Sequence, residues 1–452
     1  MKKLLINLLK LRRTVILNEV KNLKPQFRAI FRCFSRIVGR NMTKSRFCVT
    51  SVNLIMLLFV GLSFESQVFA EGFQINQQGA KAMGMGGAFI AQANDPSAIF
   101  FNPAGLGFQK GMKVMVGTTL IFPSTNFTSP APYSKKTKMK SQIFYPSNFY
   151  GTYGMDNGFV LGLGVFKPFG FGTEWDKDWG GNYLAVKTDL QTVFINPTIS
   201  FKVNEQLSIA LGVSYVSADV KIPFPVPSDR QLDSPSLTTF YRTGELDASG
   251  SGVNINFGYL LKPSDDLSVG LSYRHTTKLD FKGKAKITEL PSEYDGETTI
   301  TLPSNISAAI AYVVIPELTV EAGSQYVMWE SYRTLDLNIK NLALIKRAKD
   351  WENVFLFRLG GEYRYKQFAF RAGYVYDKTP QPDKSVEPML PDANRNTFAF
   401  GVGYKLTDAL NLDFAYQYVM FADRTVTSPT NLFPGTYKSS SNLFGISVSH
   451  QF

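Results

Sequence analysis

Cysteine is nearly missing from this chain: its 452 residues hold two, Cys33 and Cys48. Both fall in a stretch that reads as a leader, so the rest has no disulfide framework, thiolate metal site or cysteine nucleophile. Histidine is as scarce. His275 and His450 stand far apart in order, and no Ser-His-acid or metal constellation can be built from them, so an enzyme is not expected. No cofactor motif is present. Outside the leader, no run approaches the roughly 18 apolar residues of a membrane-spanning helix. Excess charge is missing from the main body too. The formal net charge is +12, but from Glu71 onward 35 basic residues face 34 acidic ones. The basicity belongs to the leader, and nucleic acid is not expected as a partner.

The leader parses from Met42. Lys44 and Arg46 are followed by the apolar run Leu54-Ile55-Met56-Leu57-Leu58-Phe59-Val60. Val68-Phe69-Ala70 then offers a V-x-A signal-peptidase site before Glu71. Residues 42–70 are expected to be a signal peptide, and residues 1–41 an upstream extension from a start codon assigned too early.

What the chain does have is alternation. Phe368, Phe370, Ala372, Tyr374 and Tyr376 share one parity, with Arg371 and Gly373 on the other. Ile209, Leu211, Val213 and Tyr215 repeat the pattern, and so do Phe444, Ile446 and Val448 near the terminal Phe452. A period of two puts alternate side chains on opposite faces of a strand. About fourteen such segments can be counted, among them 158–167, 266–281 and 298–314. Short connections such as Asp156-Asn157 and Asn204-Glu205 interleave with long ones such as 167–187, 222–243 and 282–297. That rhythm predicts an all-β, antiparallel transmembrane β-barrel of the bacterial outer membrane, with both termini in the periplasm. The barrel would span 112–452. Residues 71–111 precede it and carry Phe73, Ile75, Met83, Met85, Phe89, Ile99, Phe100 and Phe101, too much apolar surface to leave in water. They would form either a plug in the lumen or a small periplasmic subdomain.

The succession Glu71-Gly72-Phe73-Gln74-Ile75-Asn76-Gln77-Gln78-Gly79-Ala80, Gly84-Met85-Gly86-Gly87, Asn94-Asp95-Pro96-Ser97 and Phe100-Phe101-Asn102-Pro103-Ala104-Gly105 resembles the start of the FadL family. These are outer-membrane transporters of long-chain fatty acids and other hydrophobic compounds. Pro168-Phe169-Gly170, Trp329-Glu330-Ser331 and Leu390-Pro391-Asp392-Ala393-Asn394-Arg395 extend the resemblance along the chain. It implies a fourteen-stranded, monomeric barrel with an N-terminal hatch in its lumen. Hydrophobic ligand would be caught by the outer loops, held in an apolar pocket and released sideways where the third strand kinks. Outer-membrane lipid and lipopolysaccharide would be its other partners. A general porin for small polar solutes is the alternative.

Candidate residues follow. Phe100, Phe101, Asn102, Pro103 and Ala104 read as a fixed turn of the hatch near the periplasmic mouth. Gly162 and Gly164 are candidates for the kink, because glycine weakens a strand interior; they would equally make room for the hatch. By parity Arg274, Arg358, Arg364 and Arg371 face the lumen, and Arg358 and Arg371 are the preferred partners for a ligand carboxylate. Such arginines also pair with wall carboxylates such as Glu362. Phe169, Phe171 and Trp175 in the outer loops would capture ligand or pack the loops together.

Overall fold

The computed structural model describes residues 72–227, 241–288, 290–427 and 433–452. The expected extension and signal peptide lie outside the described residues. Fourteen described strands close into one antiparallel barrel. The first five are β1 Gly111–Thr128, β2 Ser147–Gly154, β3 Phe159–Phe166, β4 Lys187–Lys202 and β5 Leu207–Pro227. Next come β6 Tyr241–Leu261, β7 Leu267–Arg274, β8 Asn305–Ile315, β9 Leu318–Val327 and β10 Val354–Tyr365. The last are β11 Phe368–Asp377, β12 Arg395–Lys405, β13 Leu410–Phe421 and β14 Gly435–Gln451. Each pairs with its neighbours in order, and β14 closes on β1 from Lys113↔Gln451 to Thr128↔Thr436.

Alternation decides what each face meets. On β5, Ile209, Leu211, Val213 and Tyr215 point outward and are exposed, while Ala210, Ser214 and Val216 are buried in the lumen. Phe368, Phe370 and Tyr374 form the same outer band on β11. Hydrocarbon cannot satisfy an open sheet edge, so a wall with this outer face must close on itself.

The short turns, the start of β1 and the end of β14 share one end of the barrel. At the other end the long connections carry more regular structure than the sequence predicts. The expected loop 282–297 is a hairpin, with Thr277–Ile287 paired to Glu293–Leu302 and Lys282 opposite Glu297. The expected strand 266–281 breaks after Arg274, and 298–314 breaks at Pro303-Ser304, where proline has no N–H to give a ladder. A second hairpin, Thr334–Ile339 with Ala343–Ala348, extends this outer sheet. The strands alternate there too, but charged residues replace the outward apolar ones, so hydropathy alone ends them too soon.

Residues 72–108 fill the lumen. Two short helices, α1 Ala80–Gly84 and α2 Ala98–Phe101, lead into a 3-10 turn, Pro103–Phe108. The backbone of α1 lies against the wall: a Cβ on Gly84 would come 2.8 Å from the Gly401 Cα of β12. Glycine facing glycine is what allows that approach.

Candidate functional site

The hatch is held by polar contacts to the wall. Asn102 accepts from its own Ala104 N–H, and its side-chain amide donates to the carbonyls of Ile90 (2.8 Å) and of Tyr259 on β6 (3.1 Å). Pro103 opens the 3-10 turn, where its missing N–H costs nothing. The turn packs beside Ser208 and Gly258, near the short-turn end. Phe100 and Phe101 are buried edge-to-face against each other, and Phe100 also meets Phe166 on β3. A second anchor has no sequence signature. Glu321 of β9 is fully buried, and its carboxylate accepts from three successive backbone N–H groups, of Ile90 (2.6 Å), Ala91 (3.2 Å) and Gln92 (2.9 Å). A lone Glu on a strand names no partner.

Above the hatch lies a cavity of about 500 Å³ between its leading segment and the outer half of the wall. Phe73, Phe169, Phe171, Phe144, Leu390 and Leu443 are among its apolar lining residues. Phe73 anchors the leading segment among Trp329, Trp351 and Tyr332, with ring centroids 4.8–5.8 Å away.

The wall breaks beside this cavity. β3 is paired without interruption on both sides as far as Val165 and Phe166. The chain then turns inward at Lys167-Pro168-Phe169, and the hatch takes up the backbone groups the wall has lost. Ile75 N–H donates to the Pro168 carbonyl (2.7 Å), Gly170 N–H to that of Phe73 (3.1 Å), and the Gln78 amide to that of Lys167 (2.7 Å). Wall pairing resumes only at Gly170–Glu174 against β4. On the other side β2 starts late, at Ser147, and one isolated bridge joins Phe144 to Ile121 of β1. Ile143 (56% exposed) and Tyr145 (67%), in the stretch before β2, also line the cavity beside this break.

The other sequence candidates are placed as follows. Gly162 and Gly164 sit inside the paired run of β3, where Cβ atoms would come 3.0 Å from Ile99 Cδ1 and 2.8 Å from Ile99 Cγ2. The hatch fills the space they leave; the inward turn begins after Phe166. Arg358 lines the cavity and donates to Gln325 Oε1 (3.0 Å). Arg371 belongs to a separate polar cavity of about 290 Å³ at the short-turn end. There it bridges Glu362 (2.7 Å) and Asp413 (2.6 Å), so the two preferred arginines do not converge. Phe169 and Phe171 line the cavity, but Trp175 is fully buried, stacked 4.5 Å from Trp179 and donating to the Pro388 carbonyl. That ring packs the loops.

A closed barrel with an apolar outer band, a filled lumen and a cavity beside a break in its wall pairing is a plugged outer-membrane transport barrel. The chain matches the family "Outer membrane protein transport protein (OMPP1/FadL/TodX)" over residues 61–452, and it belongs to that family. It is 23% identical over 412 residues to the "47 kDa outer membrane protein" of Pasteurella multocida, covering 85% of this chain and 94% of that one. It is 23% identical over 390 residues to the "Long-chain fatty acid transport protein" of Salmonella typhi, covering 78% and 88%. Its fold is similar to a Pseudomonas aeruginosa FadL homologue at a TM-score of 0.75 and 19% identity, over 84% of this chain and 100% of that one. The toluene transporter TodX of Pseudomonas putida gives 0.64 at 16%, over 85% and 99%. A lumen occupied by the hatch gives the general-porin alternative no support.

Proposed function

We propose that this protein takes up hydrophobic molecules passively across the outer membrane, with long-chain fatty acids as the substrate class. Ligand is caught among the outer loops, passes into the cavity above the hatch and leaves sideways into the bilayer through the gap between β2 and the inward turn at 167–169. One observation carries this reading: the break in wall pairing at 167–169 and before Ser147 lies beside the cavity, and the cavity-lining Ile143 and Tyr145 at that break are exposed. A solute held there can reach hydrocarbon without crossing the hatch or water. The short-turn end and both termini lie in the periplasm, lipid and lipopolysaccharide surround the wall, and one monomer holds a complete path. Removing residues 71–105 tests the hatch. Uptake of a radiolabelled fatty acid is expected to fall to background, or to lose selectivity, while the barrel still assembles; unchanged selective uptake would sink this reading. Native mass spectrometry of the purified barrel is expected to show a bound amphiphile.

A further inference from the structure

Above the apolar band, one part of the outward face carries cations without counter-ions. On β1 this face runs through Val116 and Leu120, both exposed, to Phe122, Asn126 and Thr128. The β14 residues beside it are Ile446, Phe444, Asn442 and Lys438. The rings of Phe122 and Phe444 lie 6.0 Å apart, and Tyr416 of β13 packs on Phe444 at 5.1 Å. Such an aromatic girdle marks the edge of the hydrocarbon. Asn126 is four residues further on, ~13 Å along the strand and about 10 Å in height at the usual tilt. A lysine at that level reaches the head-group layer by bending its stem back toward the bilayer.

There a short strand, Lys136–Lys138, pairs with the end of β1. Lys138 stands opposite Asn126 on one side and Lys438 opposite it on the other, so two lysines flank one amide. Lys136 stands opposite Thr128. Residues opposite one another in a ladder share a face, so all three lysines point outward. Lys438 is paired with Asp423. Lys136 and Lys138 are exposed, and neither has a carboxylate partner among the described residues. Close by, Lys140 and Lys187 share Glu174, at 3.2 and 3.6 Å. The outer hairpin 277–302 differs. Its Lys278, Lys282, Lys284 and Lys286 each face a carboxylate, at 2.9, 3.8, 2.7 and 2.9 Å. The positive excess is therefore local to the end of β1. It also sits over the break in the wall. From Lys138 the chain descends beside β1, with the Met139 N–H donating to the Thr125 carbonyl (2.9 Å), and reaches the exposed Ile143 and Tyr145.

We propose that Lys136, Lys138 and Asn126, assisted by Lys438, form a docking surface for a phosphate group of lipopolysaccharide and hold one such lipid over the break. A phosphate monoester carries close to two negative charges and three strong acceptor oxygens. Two unpaired ammonium groups and an amide donor match that set, and the girdle fixes the height at which it is met. The acyl chains then lie below, along Phe122, Ile143 and Tyr145, where the uptake reading releases its ligand. The inference rests on that reading only for placing the loop end outside the cell.

Titration of the purified barrel with a bisphosphorylated, deep-rough lipopolysaccharide, read by native mass spectrometry, provides the test. Wild type is expected to bind it saturably and to bind its dephosphorylated form far more weakly. Lys136→Gln with Lys138→Gln is expected to weaken binding about thirtyfold, the loss of two lysines beside an anionic head group. Lys278→Gln with Lys284→Gln removes the same charge from the paired hairpin and is expected to change nothing. All four positions are exposed, and heat-modifiable mobility on gels reports assembly. Equal weakening by both pairs, or none by the first, would overturn the proposal. So would phosphatidylglycerol binding as tightly as the lipopolysaccharide. Orientation is read separately. From Glu71 onward the chain has no cysteine, so Tyr133→Cys at the hairpin tip, 85% exposed, supplies a single thiol. A membrane-impermeant maleimide is expected to label it on intact cells. A labelled tip without lipid binding would overturn this proposal and leave the uptake reading standing, whereas an unlabelled tip would overturn both.

Discussion

At the residue scale the hatch depends on a few side chains that reach backbone. Glu321 is the clearest, because one carboxylate satisfies three N–H groups away from water. Glu321→Ala would orphan all three, at a cost of about 3 kcal/mol or more. The barrel ladder is untouched, so the loss is expected locally. Hydrogen exchange at residues 90–92 should speed up and large polar antibiotics should leak in, while β-strand exchange stays at wild-type rates. Exchange at 90–92 equal to wild type would rule out the clamp. Asn102 was legible in sequence because Asn-Pro-Ala-Gly is a turn with a mechanism; Glu321 was not, since its partners lie some 230 residues away. Arg371 and Arg358 were correctly placed on the lumen face by parity, but parity says nothing of what stands opposite. Glu362 and Asp413 occupy Arg371, and only the fold brings them there.

At the scale of the element, β3 shows how pairing and a plug cooperate. Its glycines match one obvious route to a kink, yet they lie in a regular ladder against Ile99. The wall turns inward where Pro168 lacks an N–H and the hatch offers replacement partners. Deleting Pro168-Phe169-Gly170 would let β3 run on toward Phe171-Gly172-Thr173, pair along β4 and narrow the gap. Fatty-acid uptake is expected to drop severalfold, with heat-modifiable mobility on gels, the sign of an assembled barrel, retained. Full uptake in an assembled variant would place the exit elsewhere. The outer hairpins also belong to this scale. Their backbone is as regular as the lipid-facing strands, but Lys278, Lys282, Lys284 and Lys286 line the outward face, and a reading keyed to apolar alternation stops at the change of solvent.

Across the whole molecule, the outer loops form a packed cap. Arg347 and Lys349, from the second hairpin, meet Glu387 of the 378–394 connection. Burial alone would raise the Glu387 carboxyl, but Lys349 and Arg347 beside it outweigh burial and hold it below the usual carboxylate range. A depressed folded value contributes stability that is complete above the unfolded value, about pH 4.3, and is lost as pH falls through the folded one. The cap should therefore resist added protease equally at pH 7 and pH 5, and open only under more acid conditions. Loosening between pH 7 and 5 would mean that another group controls it.

The sequence by itself determined the barrel, its fourteen strands, the inward and outward face of each, and the presence of an apolar segment ahead of them. Period-two alternation and turn chemistry are local, and a bilayer leaves a chain with such strands no other way to satisfy its backbone. Only the tertiary structure decided where the wall pairing breaks, which lumen charges are already paired and which side chains clamp the hatch. Each of those depends on residues far apart in order that closure of the barrel brings within hydrogen-bond reach.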